Sequence, residues 1–142
     1  MYKISTRGQY ALLVMTDLAE NKDGSYTPLK LLSHRRNLSV KYLEQILIQL
    51  GKAGLVTGNR GSNGGYKLSK EAESYTAGEI LRAMEGELSP RSPSESPYLT
   101  SQATESFWSD FADTVNHYVD SVTLEELAKE NREFTGDRKS VV

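Results

Sequence analysis

The segment LSVKYLEQILIQLGKAGLVTGNRGSNGGYKLSK, residues 38–70, decides the fold. Ser39 stands where a helix cap belongs, with a hydroxyl that can accept from a backbone N–H of the first turn. Leu43, Ile46, Leu47 and Leu50 then recur at i, i+3, i+4 and i+7. That is the inner stripe of an amphipathic helix over about 40–53. Lys41, Tyr42, Glu44, Gln45, Gln49 and Lys52 fall largely on the other faces. Gly54 suits the position after a C-cap, where the chain turns left-handed. Leu55-Val56-Thr57 and Gly65-Tyr66-Lys67-Leu68 read as paired short strands, and the glycine-rich stretch 58–65 as the tip of their hairpin.

Upstream, Ala11, Leu12, Met15, Leu18 and Ala19 share helical spacing within residues 8–21, with Asp17 and Glu20 off that face. Thr27-Pro28 reads as a threonine cap followed by proline at the first helical position, opening a short helix that ends near Ser33. Helix, short helix, tight turn, amphipathic helix and glycine-tipped hairpin follow in the order of a winged helix-turn-helix. In that architecture the second helix of the pair enters the major groove and the wing reaches the neighbouring backbone or minor groove.

Downstream, Thr76-Ala77-Gly78-Glu79 is a capping box, and its helix runs through Ile80, Leu81 and Met84 to Gly86. Residues 1–86 are therefore expected to form the DNA-binding domain. Residues 87–102 are rich in Ser, Pro and Glu and read as a mobile loop of sensor type. A long helix over about 103–120 carries Phe107, Trp108, Phe111, Ala112, Val115 and Val119, an apolar side too broad for a lone surface helix. Thr123-Leu124-Glu125-Glu126 starts a final short helix, and 132–142 reads as a polar tail. Phe107, Trp108, Phe111, Val115 and Val119 are candidates for a dimer seam, which makes 103–131 the dimerisation helices. The alternative is a monomeric core helix. The expected class is mainly α with a small β wing.

Charge divides the chain in the same way. Residues 1–70 hold 11 Lys/Arg and 4 Asp/Glu, while residues 71–142 hold 6 and 15. A +7 portion joined to a −9 portion reads as a nucleic-acid-facing part and a part that is not. The 142 residues suit about one domain. There is no cysteine, which removes disulfides, zinc-thiolate sites and thiol nucleophiles. The only histidines, His34 and His117, lie in different halves, against a histidine metal site. No apolar run approaches a membrane span and no signal pattern opens the chain, so a cytoplasmic protein is expected. The glycine-rich stretch lacks the Gly-Lys-Ser/Thr ending of a P-loop, and no catalytic constellation is visible, so no enzyme is expected.

Within the basic part, Arg60 stands between Gly58 and Gly61, suited to a narrow minor groove where the potential is most negative. The alternative is a solvated hairpin arginine. Lys67 and Lys70 flank the wing and can bind phosphate, adding affinity without sequence reading. Gln45 can pair with adenine, Glu44 can accept from cytosine, and Tyr42 can bond phosphate or touch a thymine methyl. Glu44 read blandly is an exposed helix residue paired with Lys41 or another base.

Several stretches together resemble a known family. Lys3-Ile4-Ser5-Thr6-Arg7-Gly8-Gln9-Tyr10-Ala11, Leu38-Ser39-Val40-Lys41-Tyr42-Leu43-Glu44-Gln45, Ala53-Gly54-Leu55-Val56 and Arg60-Gly61-Ser62-Asn63-Gly64-Gly65-Tyr66 carry the likeness. They look like the bacterial IscR/NsrR/CymR winged-helix regulators, and the match continues through Thr76–Ile80, Glu85-Gly86 and Trp108–Leu124 over about residues 2–130. The resemblance implies a homodimer that binds palindromic promoter DNA, with the long C-terminal helix crossing to the partner subunit. It puts Ser39, Lys41, Tyr42, Glu44 and Gln45 where the recognition helix meets DNA and Arg60 where the wing enters the minor groove. At the place of Glu44 the family's glutamate helps discriminate between classes of site.

The resemblance also implies a 2Fe–2S cluster in the iron–sulfur members, held by three cysteines before and within the start of the long helix. Here that region has only serines, with Ser92, Ser96 and Ser101 nearest the cysteine positions and Glu105 near the place of the histidine ligand. No conventional cluster is expected on this chain. Cysteine-free relatives sense through the enzyme cysteine synthase, which makes an enzyme of cysteine synthesis the alternative signal partner. The expected function is a sequence-specific transcription repressor of iron–sulfur or sulfur metabolism. The rival is an interaction module that needs no DNA.

Overall fold

The computed structural model describes residues 3–61, 64–92, 97–99 and 101–141, and of 97 and 134–141 the backbone alone. Among the described residues, six α-helices and one hairpin are the main elements: α1 (Thr6–Glu20), α2 (Leu29–Arg36), α3 (Val40–Lys52), β1 (Val56–Asn59), β2 (Gly65–Leu68), α4 (Ala77–Glu85), α5 (Gln102–Ser121) and α6 (Leu124–Val141). The mainly α class with a small wing holds.

Helix α1 begins earlier than its apolar spacing indicates, because Ser5 caps it by accepting from the Gly8 N–H at 3.0 Å. Ala11, Val14, Met15 and Leu18 of α1 meet Leu43, Ile46, Leu47 and Leu50 of α3 in one core. All four residues of the α3 stripe are fully buried, and Ser39 caps that helix by accepting from the Tyr42 N–H at 3.1 Å.

Three sequence expectations fail from α1 to α3. Thr27 caps nothing: it is buried and pairs with the wing, its N–H donating to the Tyr66 carbonyl at 2.8 Å and its carbonyl accepting from the Tyr66 N–H at 3.0 Å. Helix α2 continues past Ser33 to Arg36 and ends at Asn37, whose φ of 52° is left-handed. Asp17, read from spacing as off the inner face, is buried at 2% exposure and accepts from both Nε and Nη2 of Arg36, with Arg35 at 4.0 Å. An ion pair there needs α2 to extend one turn beyond its apolar residues, which explains the late stop.

The hairpin is antiparallel, with Val56 opposite Leu68 and Asn59 opposite Gly65. Thr27 adds a third short rung, which seats the wing on the α1–α2 connection. The rung admits only glycine at residue 65, because a Cβ there would stand 2.0 Å from the Thr27 carbonyl oxygen. Tyr75 is fully buried beneath the wing: its hydroxyl donates to the Leu55 carbonyl at 2.6 Å and accepts from the Ser69 N–H at 3.0 Å and the Lys70 N–H at 3.2 Å.

The C-terminal elements differ most from expectation. A 3-10 turn at Pro97–Leu99 lies within the expected loop, and α5 starts at Gln102. The final helix is not short. Helix α6 continues to Val141 where a polar tail was expected, because Lys129, Glu130, Arg132 and Glu133 are good helix formers even without an apolar stripe. Its first turns also join the main core, with Leu124 and Ala128 fully buried against α1. A boundary at residue 86 therefore does not close the core, since α6 completes it. Helix α5 is the opposite case, with no buried residue at all. It is joined to α4 by Arg82, which donates to Asp120 at 2.7 and 2.9 Å and to Asn116 at 2.7 Å. Among the described residues no helix is long and apolar enough to cross a membrane.

Candidate nucleic-acid interface

The cap at Ser39 and the buried stripe of α3 together decide which residues face outward. With Leu43, Ile46, Leu47 and Leu50 turned inward, Lys41, Glu44, Gln45 and Ile48 are exposed along the opposite side, and Ser39 is exposed at its start. Tyr42 is half-buried at the edge, its ring edge-on to Tyr10 with centroids 6.0 Å apart.

The wing brings a second set of residues to this helix. Arg60 is exposed at the end of β1. Tyr66 lies under Gly58 across the hairpin, so close that a Cβ on Gly58 would stand 3.0 Å from the ring. Burial raises the Tyr66 phenol pKa, the Glu44 carboxylate raises it further, and Arg60 lowers it. The two charged residues thus act on one phenol from α3 and from the wing. The sequence marks Tyr66 as a strand residue and as part of the family-like Arg60–Tyr66 stretch, with no contact role of its own. An aromatic opposite a strand glycine was the signal that could have marked it.

The two flanking lysines are less free than their sequence positions indicate. Lys67 is half-buried with its ammonium 4.7 Å from the Tyr26 ring centroid. Lys70 pairs with Glu79 at 3.2 Å and lies 4.8 Å from the Tyr75 ring centroid. Arg7 was not singled out from the sequence, yet it reaches α3, donating to Gln45 Oε1 at 3.1 Å with its guanidinium 5.9 Å from the Tyr42 ring centroid.

The aromatic residues of α5 lie on another part of the chain. Phe107, Trp108 and Phe111 cluster, with centroids 5.0 to 6.0 Å apart. Phe107 is 56% and Phe111 43% exposed, while Trp108, Val115 and Val119 are half-buried. The Arg91 guanidinium covers Trp108 at 5.7 Å and donates to both Glu105 oxygens at 3.0 and 2.9 Å.

The residues near the family's cluster region do not fit an iron–sulfur cluster. Thiolates are its usual anchors, and the chain has no cysteine. Glu105 is engaged by Arg91, and Ser101 caps α5 by accepting from the Thr104 N–H at 3.1 Å. Ser92 is exposed, and Ser96 lies outside the described residues. No group of three or more His, Asp or Glu side chains able to hold a metal ion occurs among the described residues.

A helix-turn-helix with its polar face outward and an arginine-bearing wing beside it defines a DNA-binding transcription regulator, and the chain is one rather than an enzyme. Residues 4–130 match the Rrf2 family, iron-dependent transcriptional regulators, and the chain belongs to that family. The HTH-type transcriptional regulator CymR of Bacillus subtilis is 42% identical over 126 residues, covering 89% of each chain. The HTH-type transcriptional regulator IscR of Vibrio atlanticus is 33% identical over 132 residues, covering 91% of this chain and 76% of the relative. Among solved structures, that of B. subtilis CymR, called the global cysteine regulator of that organism, superposes with a TM-score of 0.81 over 92% of this chain and 98% of the other, at 42% identity. That of T. potens IscR gives 0.75 over 92% and 89%, at 35% identity.

Proposed function

We propose that the chain is a homodimeric repressor that reads a palindromic operator with Ser39, Lys41, Tyr42, Glu44 and Gln45 in the major groove and Arg60 in the minor groove. The exposed polar face of α3, followed in the chain by a wing with Arg60 exposed, in a member of the Rrf2 family, is the observation that carries this reading. Helix α3 and the wing are the two elements that, in this reading, follow adjacent grooves. Lys67 adds a phosphate contact once it leaves the Tyr26 ring. The gene targets belong to sulfur metabolism rather than iron–sulfur assembly. Similarity to a regulator called a cysteine regulator and the missing thiolates both favour that choice. A second reading of the signal, through an enzyme of cysteine synthesis such as cysteine synthase, rests on the same missing thiolates.

Two measurements test the reading. Arg60→Ala is expected to weaken binding to a duplex selected from a random pool by about 1–3 kcal/mol, the scale of a good groove contact. Wild-type binding should also fall steeply with salt, as phosphate neutralisation requires. Unchanged affinity in the variant at moderate salt refutes the wing contact. Anaerobic treatment with iron and sulfide is expected to leave the protein colourless and its DNA affinity unchanged. A visible absorption band at near one cluster per chain would overturn the sulfur-metabolism choice.

A further inference from the structure

Arg7 lies outside the helix-turn-helix pattern, on the first turn of α1, yet its side chain ends on the outward face of α3. Its first turn is held firmly. Glu85 of α4 accepts from the Ser5 N–H at 2.8 Å and from the Ser5 hydroxyl, and the same carboxylate fills the space beside Gly8, where a Cβ would stand 2.3 Å from Oε1. From that fixed origin Arg7 spans to two residues of α3, over the Tyr42 ring and onto the Gln45 amide.

The chemistry of that hydrogen bond is directional. A guanidinium carries donors only, so the amide oxygen of Gln45 must face Arg7 and the amide nitrogen must face away. Pairing with adenine needs both ends of the amide, the oxygen to accept from N6 and the nitrogen to donate to N7. With its oxygen turned to Arg7 and one of its two lone pairs engaged there, Gln45 leads into the groove with its N–H donors foremost. Guanine offers N7 and O6 as acceptors to such a group, whereas adenine offers N7 beside an amino group that also donates.

We infer that Arg7 is a specificity-determining positioning residue, which turns the Gln45 amide so that it reads guanine in preference to adenine. The inference rests on the proposal that Gln45 meets bases, and the experiment separates the two. The probe is a duplex selected by the wild-type protein from a randomised pool, competed against every single-base variant of itself. Gln45→Ala identifies the base position that Gln45 reads, by flattening the preference there. Arg7→Met, with Arg7→Ala as a second removal, is expected to lower the guanine-over-adenine preference at that same position by about tenfold. Preferences elsewhere should stay within about twofold, even if overall affinity falls with the lost charge. In the Gln45→Ala background, Arg7→Met should change no base preference. A general loss of structure would weaken all positions alike, so the position-specific change reports orientation. If Gln45→Ala flattens one position and both Arg7 variants keep guanine there, Arg7 does not orient the amide and the inference falls alone. If Gln45→Ala flattens no position, the base reading by Gln45 fails and takes the inference with it.

Discussion

Arg36→Met is expected to destabilise the fold by about 3–5 kcal/mol, and Asp17→Asn by less. The order follows from which charge is stranded. The Asp17 side chain is fully buried, whereas 24% of the Arg36 side chain reaches solvent. Removing Arg36 leaves a carboxylate in the core with only Arg35, at 4.0 Å and itself 40% exposed, to compensate it. Removing the charge of Asp17 leaves a guanidinium that can turn outward to water. Desolvation of an unpaired ion dominates such losses, so the stranded acid is the costlier one. Thermal unfolding checks this, with a shift of roughly 10 °C for the arginine variant. Equal losses for the two variants, or a smaller loss for Arg36→Met, would refute the account. The pair also joins α1 to α2, so weakened DNA binding is expected in whatever fraction stays folded.

That same pair shows where sequence reading stops. Periodicity identifies faces that bury carbon, and it located the α3 stripe residue by residue: Leu43, Ile46, Leu47 and Leu50 are all in the core. It cannot see a charge buried because a distant partner arrives. Asp17 and Arg36 are 19 residues apart, and nothing local in either marks the meeting. Thr27 failed for a similar reason. A threonine before proline is a good local cap, but Tyr66 offered its backbone two hydrogen bonds from across the chain. Tyr75 was missed because its value lies in a hydroxyl that joins three backbone groups of the wing base, a contact that only the folded chain creates. In the candidate interface the polar face of α3 and the wing arginine were legible from spacing and glycine placement. Arg7 was not, since it acts across 38 residues through a side-chain contact. The C-terminal half was least legible. Polar composition hid the length of α6, and the more apolar of the two helices, α5, stays outside the core that the first turns of α6 enter.

The exposed side of α5 leads to the other large expected effect: Phe111→Asp should give monomers and lower operator affinity by about 10²–10⁴. Helix α5 is twenty residues long and buries none of them, though Phe107, Phe111 and Tyr118 are 56%, 43% and 66% exposed. Aromatic side chains each hide a large area when covered, so leaving this many open on one helix is costly unless a second surface meets them. A second copy of the same helix supplies that surface by symmetry, and a two-fold axis places each substitution in the seam twice. An aspartate there must be desolvated without a partner, which costs several kcal/mol. Losing the pairing then removes the second half-site contact, and with it the high effective concentration that joins the two binding events. The fold of the single chain should survive, because Phe111 is exposed within it. Light scattering at micromolar concentration, circular dichroism and a gel shift on the selected duplex measure the three consequences separately. A wild-type monomer, or a Phe111→Asp variant that stays dimeric, would show that α5 serves another purpose. A monomeric variant with undiminished affinity would show instead that one subunit suffices to read the site.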